Sequence, residues 1–320
     1  MNISSEIKER IICPETNEKL FEDEGRLFED EGRLCNSNDK SIFYPIIDNI
    51  PILISNNKSI FSVEDFQEKL DTTWELKPNK IFSLIKKISP SIGLNIKAKK
   101  NYKNISKILP KNAKILIVGG SIPGEGMEVI YDEPSFETIG MDVSFGSHTK
   151  IIADGHNIPF MNETFDCVVV QAVLEHVLDP KRCVEEIYRV LKQSAIVYAE
   201  TPFMQQVHMK QYDFTRFTHL GHRRLFKNFE EIEHAPLMGP GTVLAWSYTH
   251  FIKSFSSSKK IVFFLTAFAH LTSFFLKYFD YYLIDKPGSY DAASAFYFLG
   301  KKTNKTLKDK DLIKEFKGML

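Results

Sequence analysis

Lys114-Ile115-Leu116-Ile117-Val118-Gly119-Gly120-Ser121-Ile122-Pro123-Gly124-Glu125-Gly126 opens the stretch that decides the fold, and Asp179-Pro180 closes it. An apolar run enters a glycine turn. Two further short runs each end on an acid, Thr138-Ile139-Gly140-Met141 at Asp142 and Lys150-Ile151-Ile152-Ala153 at Asp154. Cys167-Val168-Val169-Val170 then leads to Gln171-Ala172-Val173-Leu174-Glu175-His176. Short apolar runs with polar groups at their carboxyl ends are the pattern of a buried parallel sheet that binds a nucleotide-like ligand. Asp179 with Pro180 reads as a helix start, and Val184, Ile187, Tyr188 and Leu191 give that helix a buried face. Ala195-Ile196-Val197-Tyr198-Ala199-Glu200-Thr201-Pro202 follows as a fifth strand.

The glycine turn lets backbone N–H groups approach a ligand at a helix start. A phosphate-binding loop would need Lys and then Ser or Thr after its last glycine, but Gly124 is followed by Glu125. A dinucleotide fingerprint wants glycine where Ser121 stands. The ordered set resembles class I S-adenosylmethionine-dependent methyltransferases of the type 11-like group. The resemblance covers roughly residues 111–302 and is carried by the turn, by Asp154-Gly155-His156-Asn157-Ile158-Pro159-Phe160, and by Phe165 to Pro180.

That resemblance implies S-adenosylmethionine as cofactor and a Rossmann-like, doubly wound, seven-stranded α/β sheet. It places Gly119, Gly120, Ser121, Gly124, Asp142, Asp154, Gly155 and Gln171 at the cofactor. Asp142, 23 residues after Gly119, would accept both ribose hydroxyls, and Asp154 would accept from the adenine amino group. The sequence departs from the family pattern at Ile117, where an acid is frequent, and at Ser121. A non-catalytic binding or scaffold protein with the same fold therefore stays open, as does a nicotinamide oxidoreductase, which the Gly-Gly-Ser turn and the Asp154 motif disfavour.

After the fifth strand the chain reads Val207-His208-Met209-Lys210-Gln211-Tyr212-Asp213-Phe214-Thr215-Arg216-Phe217-Thr218-His219-Leu220-Gly221-His222-Arg223. It is similar to the segment that borders the acceptor pocket in small-molecule methyltransferases. Methyl transfer from a sulfonium is an in-line displacement, and a hydroxyl acceptor benefits from a general base. His208, Asp213 and His176 are the candidate catalytic residues, with Asp213 and Arg216 alternatively bracing the loop. The acceptor expected is a small molecule or a glycan or lipid precursor, methylated on oxygen.

The front of the chain, residues 1–58, resembles the small zinc-ribbon-like domain that activates certain methyltransferases. Cys13 and Cys35 open its two knuckles, but Thr16 and Asn38 hold the second cysteine positions. Two thiolates do not make a tetrahedral site, so no metal is expected. The heptad from Leu20 to Arg26 is repeated from Leu27 and reads as a lengthened hairpin. Residues 59–110 read as a helical connector, with Val63, Phe66, Leu70 and Trp74 on one helix face.

Lysine plus arginine and aspartate plus glutamate both number 41, so overall charge does not favour a nucleic-acid partner. Cys167 in its apolar strand reads as a reduced, buried thiol. The polar N-terminus lacks a signal-peptide core, and a cytoplasmic, optionally membrane-peripheral, protein is expected. Ile261 to Leu276 is an uncharged run apart from His270, somewhat short for a membrane span. It reads as part of a helical insertion at about 242–288 before a last strand through Ala295-Phe296-Tyr297-Phe298-Leu299. Packing, dimerisation or peripheral membrane contact through 261–284 are its options, and 303–320 reads as a polar, poorly ordered tail.

Overall fold

The computed structural model describes residues 3–23, 32–67 and 90–319. Among them the strands are β1 (Leu20–Asp23), β2 (Arg33–Asn36), β3 (Phe43–Ile47), β4 (Ile50–Leu53), β5 (Lys114–Val118), β6 (Glu137–Asp142), β7 (Thr149–Ala153), β8 (Phe165–Gln171), β9 (Leu191–Pro202), β10 (Phe229–Met238) and β11 (Ala295–Lys302). They form one mixed sheet in the order β1-β2-β3-β4-β7-β6-β5-β8-β9-β11-β10. From β4 through β9 neighbouring strands run parallel, and β11 lies antiparallel between β9 and β10.

The inner strands are apolar throughout because both faces are covered. Alternate side chains divide between two cores. Leu116, Val118, Val168 and Val170 meet Cys183, Val184 and Ile187 of helix Pro180–Val190 on one face. Ile115, Ile117, Cys167 and Val169 meet Ala98, Tyr102 and Ile105 of helix Ala98–Ile108 on the other. Asp179 caps the first of these helices by accepting from the Arg182 N–H at 3.0 Å, with Pro180 in the first turn.

Three expectations need correction. The sheet has eleven strands among the described residues, because β1 to β4 of the front segment, expected as a separate small domain, join the seven from β5 to β11. Ile52 and Leu53 of β4 align with Ile152 and Ala153 of β7 and are fully buried, so β4 behaves as an inner strand. The β3–β4 hairpin that delivers it turns on Asp48 and Asn49, both at positive φ (50° and 65°), as a tight two-residue turn requires. Strand β10 was not foreseen, since Glu230, Glu231 and Glu233 break the apolar pattern of that run. The tail is not detached either. Leu312 is buried, Arg224 pairs with Asp309 at 3.1 Å, and Arg223 pairs with Glu315 at 3.0 Å.

β1 and β2 pair antiparallel from Leu20↔Asn36 to Asp23↔Arg33, the base of the duplicated hairpin. Residues 24–31 of the repeat, and Leu70 and Trp74 of the connector stripe, lie outside the described residues. Val63–Gln67 is helical and buries Phe66. The insertion before β11 consists of helices Pro240–Lys253 and Lys259–Ser273, a tight 274–283 segment, and helix Pro287–Ala292.

Candidate active site

A cavity of about 560 Å³ opens at the carboxyl ends of β5 through β9. Chain order reverses there, with β6 on one side of β5 and β8 on the other, which is where open α/β sheets leave a crevice. Ser59 to Phe61 and Trp246 bring the start of the connector and the insertion to its rim, with Ile60, Phe61 and Trp246 among its lining.

The glycine turn forms one wall under tight steric control. Gly119 has φ +78°, and a Cβ there would lie 2.2 Å from Val173 Cγ2. Gly124 faces Gln171, whose Oε1 would be 1.8 Å from an added Cβ. Gly120 does not line the cavity; it faces the backbone of β6, where an added Cβ would lie 2.8 Å from Gly140 Cα. Backbone N–H groups of Gly119 and Gly120 donate to Met141 O at 2.8 and 3.1 Å, which holds the turn beside Asp142. Asp142 lines the cavity and accepts from the Ser121 N–H at 2.9 Å. Burial raises its carboxyl above the usual range, partly offset by the hydrogen bonds from Ser121.

Asp154 and Gly155 line the same wall. The Asp154 carboxylate accepts from Ser59 Oγ at 2.6 Å and from the His156 N–H at 2.9 Å, with His156 Nδ1 at 2.6 Å. Burial would raise this acid, but the His156 and Ser59 hydrogen bonds outweigh it and hold the carboxyl low. Gln171 donates through Nε2 to Glu200 Oε2 at 2.8 Å, and its buried Oε1 has no partner. Glu200 in turn accepts from Tyr198 OH at 2.6 Å, and Asn101 donates to that hydroxyl at 3.0 Å. Burial pushes Glu200 up to about 7 against the pull of Tyr198 and Gln171. Between Gln171 and Val173, Ala172 sits at φ +52°, a sparsely populated conformation for a residue with a Cβ.

The opposite end of the cavity gathers His176, His208, Glu175 and Tyr212. The His176 and His208 rings meet edge to face with centroids 4.8 Å apart. His176 Nδ1 lies 2.7 Å from Tyr212 O, so it carries the proton and leaves Nε2 with a free lone pair, 3.6 Å from Glu175 Oε1. Burial, then the neighbouring His208, lowers His176 to about 4. Glu175 is fully buried, neither carboxylate oxygen has a hydrogen-bond partner, and burial pushes it up to about 8. Each of Glu175, His176 and His208 offers one ligand atom within 4.8 Å of the others, a set that could hold a metal ion.

His208 is pulled below its ordinary pKa by burial. Its Nδ1 faces Gln206 O at 3.3 Å and Asp213 Oδ2 at 3.4 Å, with Arg216 Nη2 at 3.5 Å. Asp213 stands behind His208 rather than on the cavity wall. It accepts from the His208 N–H at 2.8 Å and from Arg216 Nη2 at 2.9 Å. Burial would raise Asp213, but Arg216 and His208 hold it well below the usual carboxylate range. His219 and His222, adjacent in sequence to these groups, are buried against His234 and do not line the cavity.

Sequence reasoning missed Glu175 and Glu200 as site groups although it read through both. The available signal was an acid set directly beside an apolar strand end. Ser59, Phe61 and Trp246 had no local signal; Ser59 reaches Asp154 across 95 positions of chain.

Residues 123–199 match the family model of a methyltransferase domain, and this match supports S-adenosylmethionine as the cofactor. No curated protein matches the chain. Among solved structures, similarity extends to a Haloferax volcanii complex of the Trm112 methyltransferase activator with its methyltransferase partner. That likeness has 17% identity, covers 65% of this chain and 91% of that one, and has a TM-score of 0.41. Haemonchus contortus phosphoethanolamine N-methyltransferase 2, held with phosphomonomethylethanolamine and S-adenosylhomocysteine, is 15% identical over 68% of this chain and 54% of its own, with a TM-score of 0.44. At such identity and overlap these likenesses say nothing of acceptor or activity.

Proposed function

We propose that this cavity transfers a methyl group from S-adenosylmethionine to a hydroxyl of a small molecule or of a glycan or lipid precursor. The observation that carries the reading is the pairing of two ends in one cavity. At one end stand Asp142, the Gly119–Gly124 turn and the unpartnered Gln171 Oε1; at the other stand His176 and His208. Those groups suit the cofactor: the glycines leave a cradle a Cβ would fill, and the orphaned amide oxygen needs a donor. When bound, S-adenosylmethionine supplies an electrophilic methyl on a sulfonium.

The chain's own groups position and deprotonate. Asp142 accepts the ribose hydroxyls, and Asp154 with Gly155 borders the adenine end. His208, its pKa lowered by partial burial of the imidazole, takes the acceptor proton at Nε2 while Asp213 and Gln206 O hold Nδ1. Arg216 fixes Asp213 in place, so the aspartate orients the imidazole and does not itself touch the acceptor.

Titration calorimetry with S-adenosylhomocysteine tests the cofactor half: micromolar binding, lost on Asp142→Ala, is expected. A folded protein that binds none of it would instead be the scaffold, and one that binds NADH an oxidoreductase. His208→Asn should lower kcat by about 10²–10⁴-fold with cofactor affinity unchanged, the usual worth of a general base.

A second reading rests on Glu175, whose two unpartnered buried oxygens sit beside His176 and His208. In it a divalent cation on those three residues would take the place of the base. Loss of turnover with a chelator and recovery with added cation would favour that reading over the free imidazole.

The front segment is proposed as a zinc-ribbon-like element that has exchanged thiolates for polar side chains. Supporting this, Thr16 Oγ1 accepts from Asn36 Nδ2 at 2.7 Å, Asn38 donates to Glu18, and Cys13 Sγ lies 3.3 Å from Tyr44 OH.

A further inference from the structure

We propose that residues 244–282, on the helical hairpin ahead of β11, dock this protein on the surface of a lipid bilayer that carries anionic headgroups. Helix Lys259–Ser273 turns Ala269 and Ser273 inward toward helix Pro240–Lys253. Its outward stripe is just as apolar. Ile261, Phe264, Phe268 and Leu271, with Phe275 just beyond, recur at helical spacing and are exposed, Phe264 to 69%. Phe251 on the neighbouring helix and Phe255 just past its end are exposed too, as are Tyr278, Phe279, Tyr281 and Tyr282 beyond Ser273. Exposed apolar and aromatic side chains in this density mark an interaction site.

Charge selects the occupant. Between positions 244 and 284 the sequence holds Lys253, Lys259, Lys260 and Lys277 against a single acid, Asp280. That acid is buried, accepting from the N–H groups of Gly241 and Thr242, and Lys277 is buried as well, so the exposed charges of this stretch and its end are Lys259, Lys260 and Lys286 against Asp285, whose carboxylate is paired with Lys97 at 2.7 Å. Lys259 and Lys260 are exposed at the start of the helix, and Lys286 lies 4.8 Å from the centroid of the exposed Tyr282 ring. An apolar stripe flanked by lysines and tyrosines is the composition of an element that lies in the membrane interface.

Lys259–Leu283 is long and apolar enough to cross a membrane by length and composition. The packing opposes a crossing. Lys277 Nζ donates to Ser91 O at 2.6 Å, and Asp280 is bonded into the start of helix Pro240–Lys253; a spanning helix would pull both out of the protein. The uncharged run, 261–276, is also shorter than the roughly 20 residues a span takes. The helix therefore lies on the bilayer. Trp246 of helix Pro240–Lys253 lines the cavity, so if the methyl-transfer reading holds, a lipid-linked acceptor is the class this placement serves.

Vesicle flotation of the full chain tests the docking without reference to activity. The protein should float with phosphatidylcholine–phosphatidylglycerol vesicles, bind phosphatidylcholine alone more weakly, and lose anionic binding as salt rises. The pair Phe264→Ser and Phe268→Ser should weaken vesicle affinity about tenfold or more, given the apolar area two phenylalanines withdraw. Lys259→Glu with Lys260→Glu should remove only the anionic preference. All four side chains are on exposed positions, so the melting temperature and S-adenosylhomocysteine affinity should hold, which separates lost docking from lost fold or lost cofactor site. Phe264→Trp gives a second readout, quenching by brominated lipid acyl chains. The proposal is overturned if the wild-type chain does not bind either vesicle, or if light scattering finds a dimer that Phe264→Ser and Phe268→Ser dissociate, which would make the face a self-interface.

Discussion

Gly120 shows how tightly the glycine turn is built. A Cβ there would come within 2.8 Å of Gly140 Cα and 2.9 Å of Ile117 O, both backbone atoms that cannot rotate aside. Gly120→Ala should therefore destabilise the protein by about 1–3 kcal/mol and weaken S-adenosylhomocysteine binding through displacement of Asp142. Gly155→Ala is the control: its Cβ would meet Cys183 Sγ at 3.4 Å and should cost under about 0.5 kcal/mol. Urea unfolding of the two variants checks the contrast. At this scale the sequence was legible where function rests on local backbone: a glycine turn, and acids at strand ends, follow from strand length and spacing. It was not legible where a side chain's state depends on distant partners. That Asp154 is held by Ser59, or that His176 Nδ1 is tied to the Tyr212 carbonyl 36 positions away, is a property of the fold.

Among the elements, the insertion depends on one buried charge. Asp280 accepts from Gly241 N at 2.6 Å, Thr242 N at 2.9 Å and Thr242 Oγ1 at 2.8 Å. A carboxylate from the far end of the hairpin thus satisfies the start of helix Pro240–Lys253, where Gly239 has no side chain to do so. Asp280→Ala would orphan those buried N–H groups, and a loss of about 2–4 kcal/mol in urea unfolding is expected, with partial recovery in Asp280→Asn. Asp179→Ala, at an exposed cap, should cost only about 1 kcal/mol. The apolar run of the insertion could be read from composition, because helix length and missing charge are local. The closure by Asp280 could not, nor could the pairing of β4 with β7, since β-pairing partners are set by tertiary packing rather than by either strand's own residues.

For the molecule as a whole, stability should fall on mild acidification because three histidines are buried together. His219 and His234 stack with centroids 4.3 Å apart, and His222 Nδ1 lies 3.2 Å from His234 Nε2. Burial lowers His222 to about 3 and His219 to about 4, and burial with the other two rings holds His234 well below its ordinary value. An unfolded histidine titrates near 6.5, so below that pH the unfolded chain binds more protons than the native one and native stability declines. At pH 5 His222 and His219 would each contribute a loss of about 2 kcal/mol, less than additively because the rings interact, and His234 acts in the same direction. Glu175 and Glu200 act with the opposite sign. Raised to about 8 and about 7, they favour the native state below the ordinary carboxylate pKa and lose that contribution as pH rises through those values. The wild-type curve mixes both effects, so a difference isolates the histidines. His222→Gln keeps a polar partner for His234 but cannot take up a proton. Its loss of stability between pH 7 and pH 5, from denaturant unfolding, should be about 2 kcal/mol smaller than that of the wild type. Equal losses in the two proteins would mean that the cluster already carries its protons near neutrality or opens to water, contrary to its burial.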